Sequence, residues 1–253
     1  AGVETVSRYV HGMADGPHNP TFEKAEARTA KMAEGNEADW APHDGLPDLY
    51  IAMGQTAENV AEYKQVSREA QDEFAARSQN LAEASLDSGY WEAEITPITL
   101  PDGTVVKDDD GIRRGTTAEK LSGLNPVFRP GGTVTAGNAC PLNDGAAGVV
   151  VMSDTLAKVL GLTPLARIGS SGVSGLNPEI MGLGPVEAIK QALGRAKMGI
   201  HDIDLVEINE AFASVVLAWM KELDVPHDKV NVNGGAIALG HPLGATGARL
   251  MTT

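Results

Sequence analysis

Cysteine is nearly absent: the 253 residues contain one, Cys140. That excludes an internal disulfide and a structural zinc site built on cysteines, and makes a reducing compartment such as the cytoplasm the expectation. Positive charge is also scarce. Lysine and arginine number 20 against 34 aspartates and glutamates, a formal net charge of −14. No basic tract offsets it, so nucleic acid and anionic membrane surfaces are poor partners. No apolar run approaches the ~20 residues of a membrane span, and nothing at the N-terminus has the form of a signal peptide. The chain starts at Ala1 without an initiator methionine and stops at Thr253 inside a helical pattern, so it is expected to be a piece of a longer chain. No short-period repeat is visible.

What is present is an ordinary apolar fraction, 42%, enough to build one large domain or two small ones. "AGVETVSR" at the start has the form of a strand end and exit turn. From Tyr9 to about Leu49, glycine, proline, histidine and asparagine interrupt any period, leaving an irregular excursion with one short helix near Glu23 to Glu34. Two helices follow. Thr56 is placed to cap "AENVAEYKQ" and Ser67 to cap "REAQDEFAARSQNLAEASL", with Ala70, Phe74, Ala75, Ser78, Leu81 and Ala82 on one face and Gly89 past the end. "EAEITPITL" and "TVVKD" flank Pro101-Asp102-Gly103 as a hairpin.

From Thr133 onward, short apolar runs alternate with amphipathic segments. Strands are expected at "TVTAG", "AAGVVVMS", "LARIGSSGVSG", "IDLVEI" and "VNVN". Helices are expected at "DTLAKVL" after Ser153, "VEAIKQALGRAKM" after Pro185, "EAFASVVLAWMKEL" and "GATGARLMTT". This alternation points to a layered α/β fold with a mostly parallel sheet. In such folds chemistry collects on loops at the carboxyl ends of strands. Asn209 follows one expected strand and the His241 loop follows another.

That loop belongs to "NVNGGAIALGHPLGATGAR", residues 231–249, and three readings of it stand side by side. Its glycines could serve close backbone packing around a structural histidine. They could form an anion loop before a helix, although no Lys-Ser/Thr pair follows and the dinucleotide spacing is missing. Or the glycines leave room for a substrate beside an imidazole that activates a nucleophile or donates to an oxyanion.

"NEAFA" at 209–213 followed by "NVNGGAIALGHPLGATGAR" closely resembles the thiolase family, the acetyl-CoA acyltransferases. "GVETVSR", "MGQTAENVAE", "SREAQDEFAARSQ", "GIRRGTTAEKLSGLNPVF", "TVTAGNACPLNDGAA" and "MGLGPVEAIKQAL" extend the resemblance along the whole chain in the family's order. It implies an α/β/α/β/α layered fold of two similar halves with an inserted loop domain. Residues 1–8 would end the N-terminal half, 9–132 would form the loop domain, 133–162 would close the first half, and 163–253 would make up most of the second. The implied activity is cleavage of a 3-oxoacyl-CoA by coenzyme A, or the reverse condensation. Coenzyme A is then a substrate, no cofactor is permanently bound, and the assembly is a homodimer or homotetramer.

By the same resemblance His241 activates a cysteine nucleophile and contributes to an oxyanion hole, while Asn209 holds a water that completes the hole. A thiol of pKa ~8.5 is mostly protonated at neutral pH and needs such a base. The family's nucleophilic cysteine precedes "GVETVSR" and its acid/base cysteine follows the last helix, so both fall outside residues 1–253. Cys140 stands where many members carry a serine that touches pantetheine, and no catalytic role is assigned to it; as a thiol it is the weaker donor. Arg113 matches a residue beside the nucleotide end of coenzyme A. Met53, Phe128, Ala136, Met181, Ala211 and Phe212 match the lining of the pantetheine and acyl tunnel, with ordinary core packing as the competing account. Arg113, Arg114, Lys120 and Arg129 form a basic cluster suited to phosphates, or else a solvated charged face.

Ala52 stands where some short-chain thiolases carry a histidine, which mildly favours a degradative enzyme for longer chains. His11, His18, His43, His201 and His227 are expected at the surface, Asp108 to Asp110 at a solvated hairpin end, and no metal site is expected. Glu210 is expected to anchor a helix start rather than act as a general base. A shortened acyl-CoA-binding remnant and a thiolase-like lipid carrier remain open beside the enzyme; "NEAFA" disfavours the carrier.

Overall fold

A computed structural model describes residues 1–8, 17–35 and 40–253. His11 and the rest of 9–16 lie outside the described residues. Strand β1 (Gly2–Glu4) opens the chain, followed by helices α1 (Glu23–Ala33), α2 (Met53–Lys64) and α3 (Arg68–Asp87). The hairpin β2 (Ile98–Thr99) and β3 (Val105–Val106) comes next, then α4 (Ala118–Ser122), β4 (Gly145–Ala147) and α5 (Asp154–Val159). The last third holds α6 (Gly184–Ala196), α7 (Ala213–Leu223), α8 (Ala236–Leu239) and α9 (Thr246–Thr252). No helix among the described residues is long and apolar enough to cross a membrane.

Helix α7 is the centre. Eight of its residues are buried, as expected of a helix apolar on all sides. Val216, Trp219, Met220 and Leu223 pack with Phe74, Ala75 and Ala76 of α3, Leu121 of α4 and Ile237 of α8. Val215 and Ala218 pack on Val60 and Val66, on and just beyond α2. Helix α3 starts where its sequence says: Ser67 Oγ accepts from the Ala70 N–H, and Gly89 beyond its end has φ 76. Ser153 caps α5 in the same way.

Other boundaries move. Helix α2 begins three residues before Thr56, because the Gln55 and Thr56 N–H groups already bond the Ala52 carbonyl. The Thr56 hydroxyl donates back to the Met53 carbonyl. Helix α7 begins at Ala213, since Phe212 is held extended in a bridge with Ala139. Leu81 and Ala70 are only half-buried, whereas Gln71, Asp72 and Gln79 are buried on α3 because each finds a polar partner outside the helix.

The expected strands are the largest difference. Among the described residues, β1 pairs antiparallel with β4 and β2 with β3, while parallel pairing is present as two bridges, Val206 to Val230 and Leu142 to His241. "TVTAG" contributes only the Thr135 bridge to Pro126. Residues 165–175 make no ladder; the segment lies along α6, with Ser170 Oγ donating to the Ala192 carbonyl, Arg195 to the Ser171 carbonyl and Ser174 Oγ to the Gly184 carbonyl. A strand is stabilised by a neighbour's N–H and C=O groups, and none lies beside these residues, so Val150 (84% exposed) and Val173 (81%) stay in solvent.

Candidate active site

Two loops and one splint form the site. The first loop, residues 207–212, leaves the Val206 to Val230 bridge, where Val206 N–H donates to the Lys229 carbonyl at 2.8 Å and Asn231 N–H to the Val206 carbonyl at 2.9 Å. Asn231 then latches it. At φ 45 and fully buried, its Oδ1 accepts from the Ile208 N–H, and its Nδ2 donates to the Ile208 carbonyl and to Glu210 Oε1. Glu210, also fully buried, accepts in addition from Ser78 Oγ at 2.6 Å and from the Ile237 N–H at 3.1 Å. Burial pushes its pKa up, opposed by those hydrogen bonds. Glu210 is thus an anchor between α3, the first loop and α8.

The second loop carries His241. Gly240, at φ 94, lies against the Asn143 side chain, a backbone state and a contact that no residue with a Cβ accepts without cost. Residues 138–143 join the loops. Cys140 N–H donates to the Ala211 carbonyl, Ala213 N–H to the Asn138 carbonyl, and Ala139 bridges Phe212. Three residues on, Leu142 bridges His241, whose N–H donates to Asn143 Oδ1 at 3.2 Å. One short stretch therefore holds Asn209's loop at one end and His241 at the other.

The imidazole is half-buried and its tautomer follows from its neighbours. Thr246 Oγ1 donates its one proton to the Pro242 carbonyl at 2.9 Å and lies 2.7 Å from His241 Nδ1. With that proton on the Pro242 carbonyl, Oγ1 accepts from Nδ1–H and leaves Nε2 with a free lone pair. Burial, and secondarily the Arg249 charge, lowers the histidine pKa and favours the neutral base. Asn209 Oδ1 is buried with no hydrogen-bond partner among the described residues, an acceptor that a water or a ligand proton would satisfy. Cys140 is half-buried and its thiol is pushed up to about 11 by burial, unlike a nucleophile poised to ionise.

Phe128 and Phe212 meet edge to face, centroids 6.1 Å apart. Gly54, beside Met53, packs directly on the Phe128 ring. Met53 and Met181 are 49% and 46% exposed, so neither is ordinary core. Ala136 is exposed, and Ala211 is half-buried with its carbonyl used by Cys140. Arg113 is exposed; its N–H donates to Gln79 Oε1 at 2.7 Å, and its guanidinium makes no ion pair among the described residues.

Of the basic residues expected beside Arg113, Arg129 is drawn into the interior. Arg129 is buried and bonds Gln55, Asn59 and Glu62, Arg114 pairs with Asp87 and Glu83, and Lys120 donates to the Gly115 carbonyl. His43 also departs from its expected place at the surface, bonding the buried Glu179, and Asp109 is half-buried with its Oδ1 on the Gly111 N–H. A surface depression of about 620 Å³ is lined by residues such as Ser67, His201, Lys221 and His227 and contains none of the expected site residues. A smaller one, about 310 Å³, includes Phe128.

Sequence patterns alone did not reveal Asn231, Thr246, Glu179 or Glu207. Asn231 had one usable signal, its residue type, since asparagine takes positive φ more readily than most residues. Glu207, paired with Arg249 at 2.9 Å, has its pKa raised to about 7 by burial despite that arginine. Its folded value exceeds the unfolded 4.5, so its stabilising effect is present below pH ~4.5 and lost as pH rises through ~7. Glu207→Gln is expected to match the parent near pH 4 and to be up to about 3 kcal/mol more stable near pH 8. Thermal melts at the two pH values check this, and an equal gap at both would reject it.

Residues 1–155 match the family model for the N-terminal domain of thiolase and 162–253 that for its C-terminal domain. A probable acetyl-CoA acyltransferase of Staphylococcus epidermidis is 47% identical over 248 residues, 96% of this chain and 63% of its own length. An acetyl-CoA acetyltransferase of Cupriavidus necator is 51% identical over 229 residues, 88% of this chain and 58% of its own. Among solved structures, the dimeric peroxisomal thiolase of Saccharomyces cerevisiae superposes with a TM-score of 0.84 at 41% identity, covering 99% of this chain and 60% of that one. The chain thus spans less than two thirds of the length of these relatives. With both domain models matched and the fold shared with a solved thiolase, the chain belongs to the thiolase family.

Proposed function

We propose that this chain supplies the histidine and asparagine loops of an acetyl-CoA C-acyltransferase that cleaves 3-oxoacyl-CoA with coenzyme A. One observation carries the reading: an imidazole whose Nδ1 is engaged by Thr246, on the same splint as a loop whose Asn209 Oδ1 has no partner among the described residues. A cysteine encoded outside residues 1–253 is the nucleophile. His241 Nε2 takes its proton, and the thiolate adds to the 3-keto carbon. The C2–C3 bond then breaks, and its electron pair passes to the acetyl-CoA enolate, which a second outside cysteine protonates. Coenzyme A thiolate releases the acyl group from the first sulfur. His241 and a water on Asn209 stabilise the thioester oxygen as charge grows on it.

Met53, Phe128, Ala136, Met181, Ala211 and Phe212 line the pantetheine and acyl path, Cys140 touches pantetheine through a weak S–H donor, and Arg113 faces the nucleotide phosphates. Coenzyme A enters as substrate, with no resident cofactor. The domain layout is 1–8, 9–132, 133–162 and 163–253, the assembly a homodimer or homotetramer, the compartment cytoplasmic, and the role fatty-acid or sterol side-chain β-oxidation. A second reading, biosynthetic acetoacetyl-CoA formation, is favoured by the Cupriavidus necator acetyltransferase at 51% identity; Ala52 speaks against it.

Turnover of 3-oxoacyl-CoAs from acetoacetyl to long-chain by the full-length protein separates the readings. Preference for longer chains is the expected result, activity on acetoacetyl-CoA alone supports the biosynthetic reading, and binding without turnover supports an acyl-CoA or lipid binder. Asn209→Ala is expected to lower kcat by about 10²–10³-fold; an unchanged kcat would remove Asn209 from the oxyanion role.

A further inference from the structure

A carboxylate withdrawn from water costs several kcal/mol unless donors replace the solvent. Glu179 is 0% exposed. Its Oε2 accepts from Trp40 Nε1 at 2.7 Å and His43 Nε2 at 2.9 Å, and its Oε1 from the Asp48 N–H at 2.8 Å and from the Arg28 guanidinium. Burial alone would raise its pKa, but hydrogen bonds from His43, Trp40, the Asp48 N–H and Arg28 bring it down to about 2, so it stays ionised. Its backbone is equally committed: the N–H donates to Asn177 Oδ1, and the carbonyl accepts from Asn59 Nδ2 of α2.

The turn that carries this glutamate, Pro178–Leu183, bends at Ile180 (φ −130, ψ 32) and lies against α7 through Gly182 and Val215. Met181 sits on it. Ile180, Leu183 and Phe212 pack against one cluster with Val60 and Val215. Phe128 closes on Phe212 from the side of Gly54, next to Met53.

We propose that Glu179 is a positioning residue for acyl-chain specificity: by clamping residues 40–48 and α2 to the Pro178–Leu183 turn, it fixes Met181 relative to Met53, Phe128 and Phe212. The inference rests on the reading of those four side chains as the acyl and pantetheine wall. Glu179 reaches no reacting group, so its loss alters the fit of a long chain and leaves the chemistry of a short one intact.

The test is steady-state thiolysis by the full-length protein and its Glu179→Gln variant across 3-oxoacyl-CoAs of graded length. The expected result is a KM about tenfold higher for long chains, the order of one lost charge-assisted hydrogen bond, with kcat within about twofold and acetoacetyl-CoA kinetics unchanged. A KM change uniform across chain lengths, or none, overturns the inference. Should Glu179→Gln fail to fold, Trp40→Phe removes one donor and keeps most of the ring; a smaller rise confined to long chains supports the inference, and a uniform or absent effect overturns it. A parent protein that cleaves no 3-oxoacyl-CoA sinks the proposed function and this inference together, whereas an active parent with a flat variant sinks the inference alone.

Discussion

His241→Ala in the full-length protein is expected to lower thiolysis by about 10²–10⁴-fold, the range for loss of a positioned general base, and to leave no acyl-enzyme detectable by intact-mass measurement. The size of the effect follows from what the imidazole does and how it is held. Its N–H is tied to Asn143 and its Nδ1–H to Thr246, whose own proton goes to the Pro242 carbonyl. These contacts hold the ring, and with the proton on Nδ1 the basic position is Nε2. Burial and Arg249 lower its pKa, so the acid limb of the pH–rate profile should lie below the ~6.5 of a free imidazole. Undiminished labelling of the nucleophile in the alanine variant would reject the role.

Gly235→Ala is the second large effect, and it is expected to act on stability. A Cβ at residue 235 would stand 2.5 and 2.6 Å from the two oxygens of Glu210. Gly235 itself is extended (φ −145, ψ −159), so the cost is steric and not conformational. The fully buried carboxylate cannot step aside without breaking its bonds to Ser78, Asn231 and the Ile237 N–H. Overpacking costs about 1–3 kcal/mol and a buried polar group left unpaired about 1–3 kcal/mol. A total near 3 kcal/mol corresponds to a Tm lower by roughly 6–12 °C for a chain of this size. Gly247→Ala is the control, since an added Cβ there meets nothing within 4 Å and a helical glycine-to-alanine change is neutral or stabilising by up to about 1 kcal/mol. Equal Tm values for Gly235→Ala and the parent would show that Glu210 is not held as described.

Residues differ in how far sequence alone places them, and the reason is the range of the interaction involved. Ser67 and Ser153 announce their helices because a cap bonds an N–H three residues away. Gly103 and Pro101 announce the hairpin for the same local reason, and the Leu100 to Thr104 bond closes it. Glu58 on α2 gives no such sign. It is buried because Thr133 and Val134, far along the chain, offer it backbone N–H groups. Arg129 looks like a surface cation beside Arg113 and Lys120, yet Gln55, Asn59 and Glu62 enclose it. Strand pattern misleads in the opposite direction: residues 165–175 have the composition of a strand, but a ladder needs a neighbour and composition cannot supply one.

For the site, the residue types and their order were determined by the sequence: an asparagine after one apolar run, a histidine in a glycine-walled turn after the next, and the thiolase motifs around both. The starts of α3 and α5 and the family followed from it as well, because both depend on contacts or patterns within a few residues. Only the tertiary structure decided that residues 138–143 join the two loops, that Thr246 engages the histidine Nδ1, and that Glu179 and Arg129 are interior charges and Glu210 an interior carboxyl. Those outcomes depend on donors and acceptors brought together from distant parts of the chain, and a buried charge is stable only where such partners surround it.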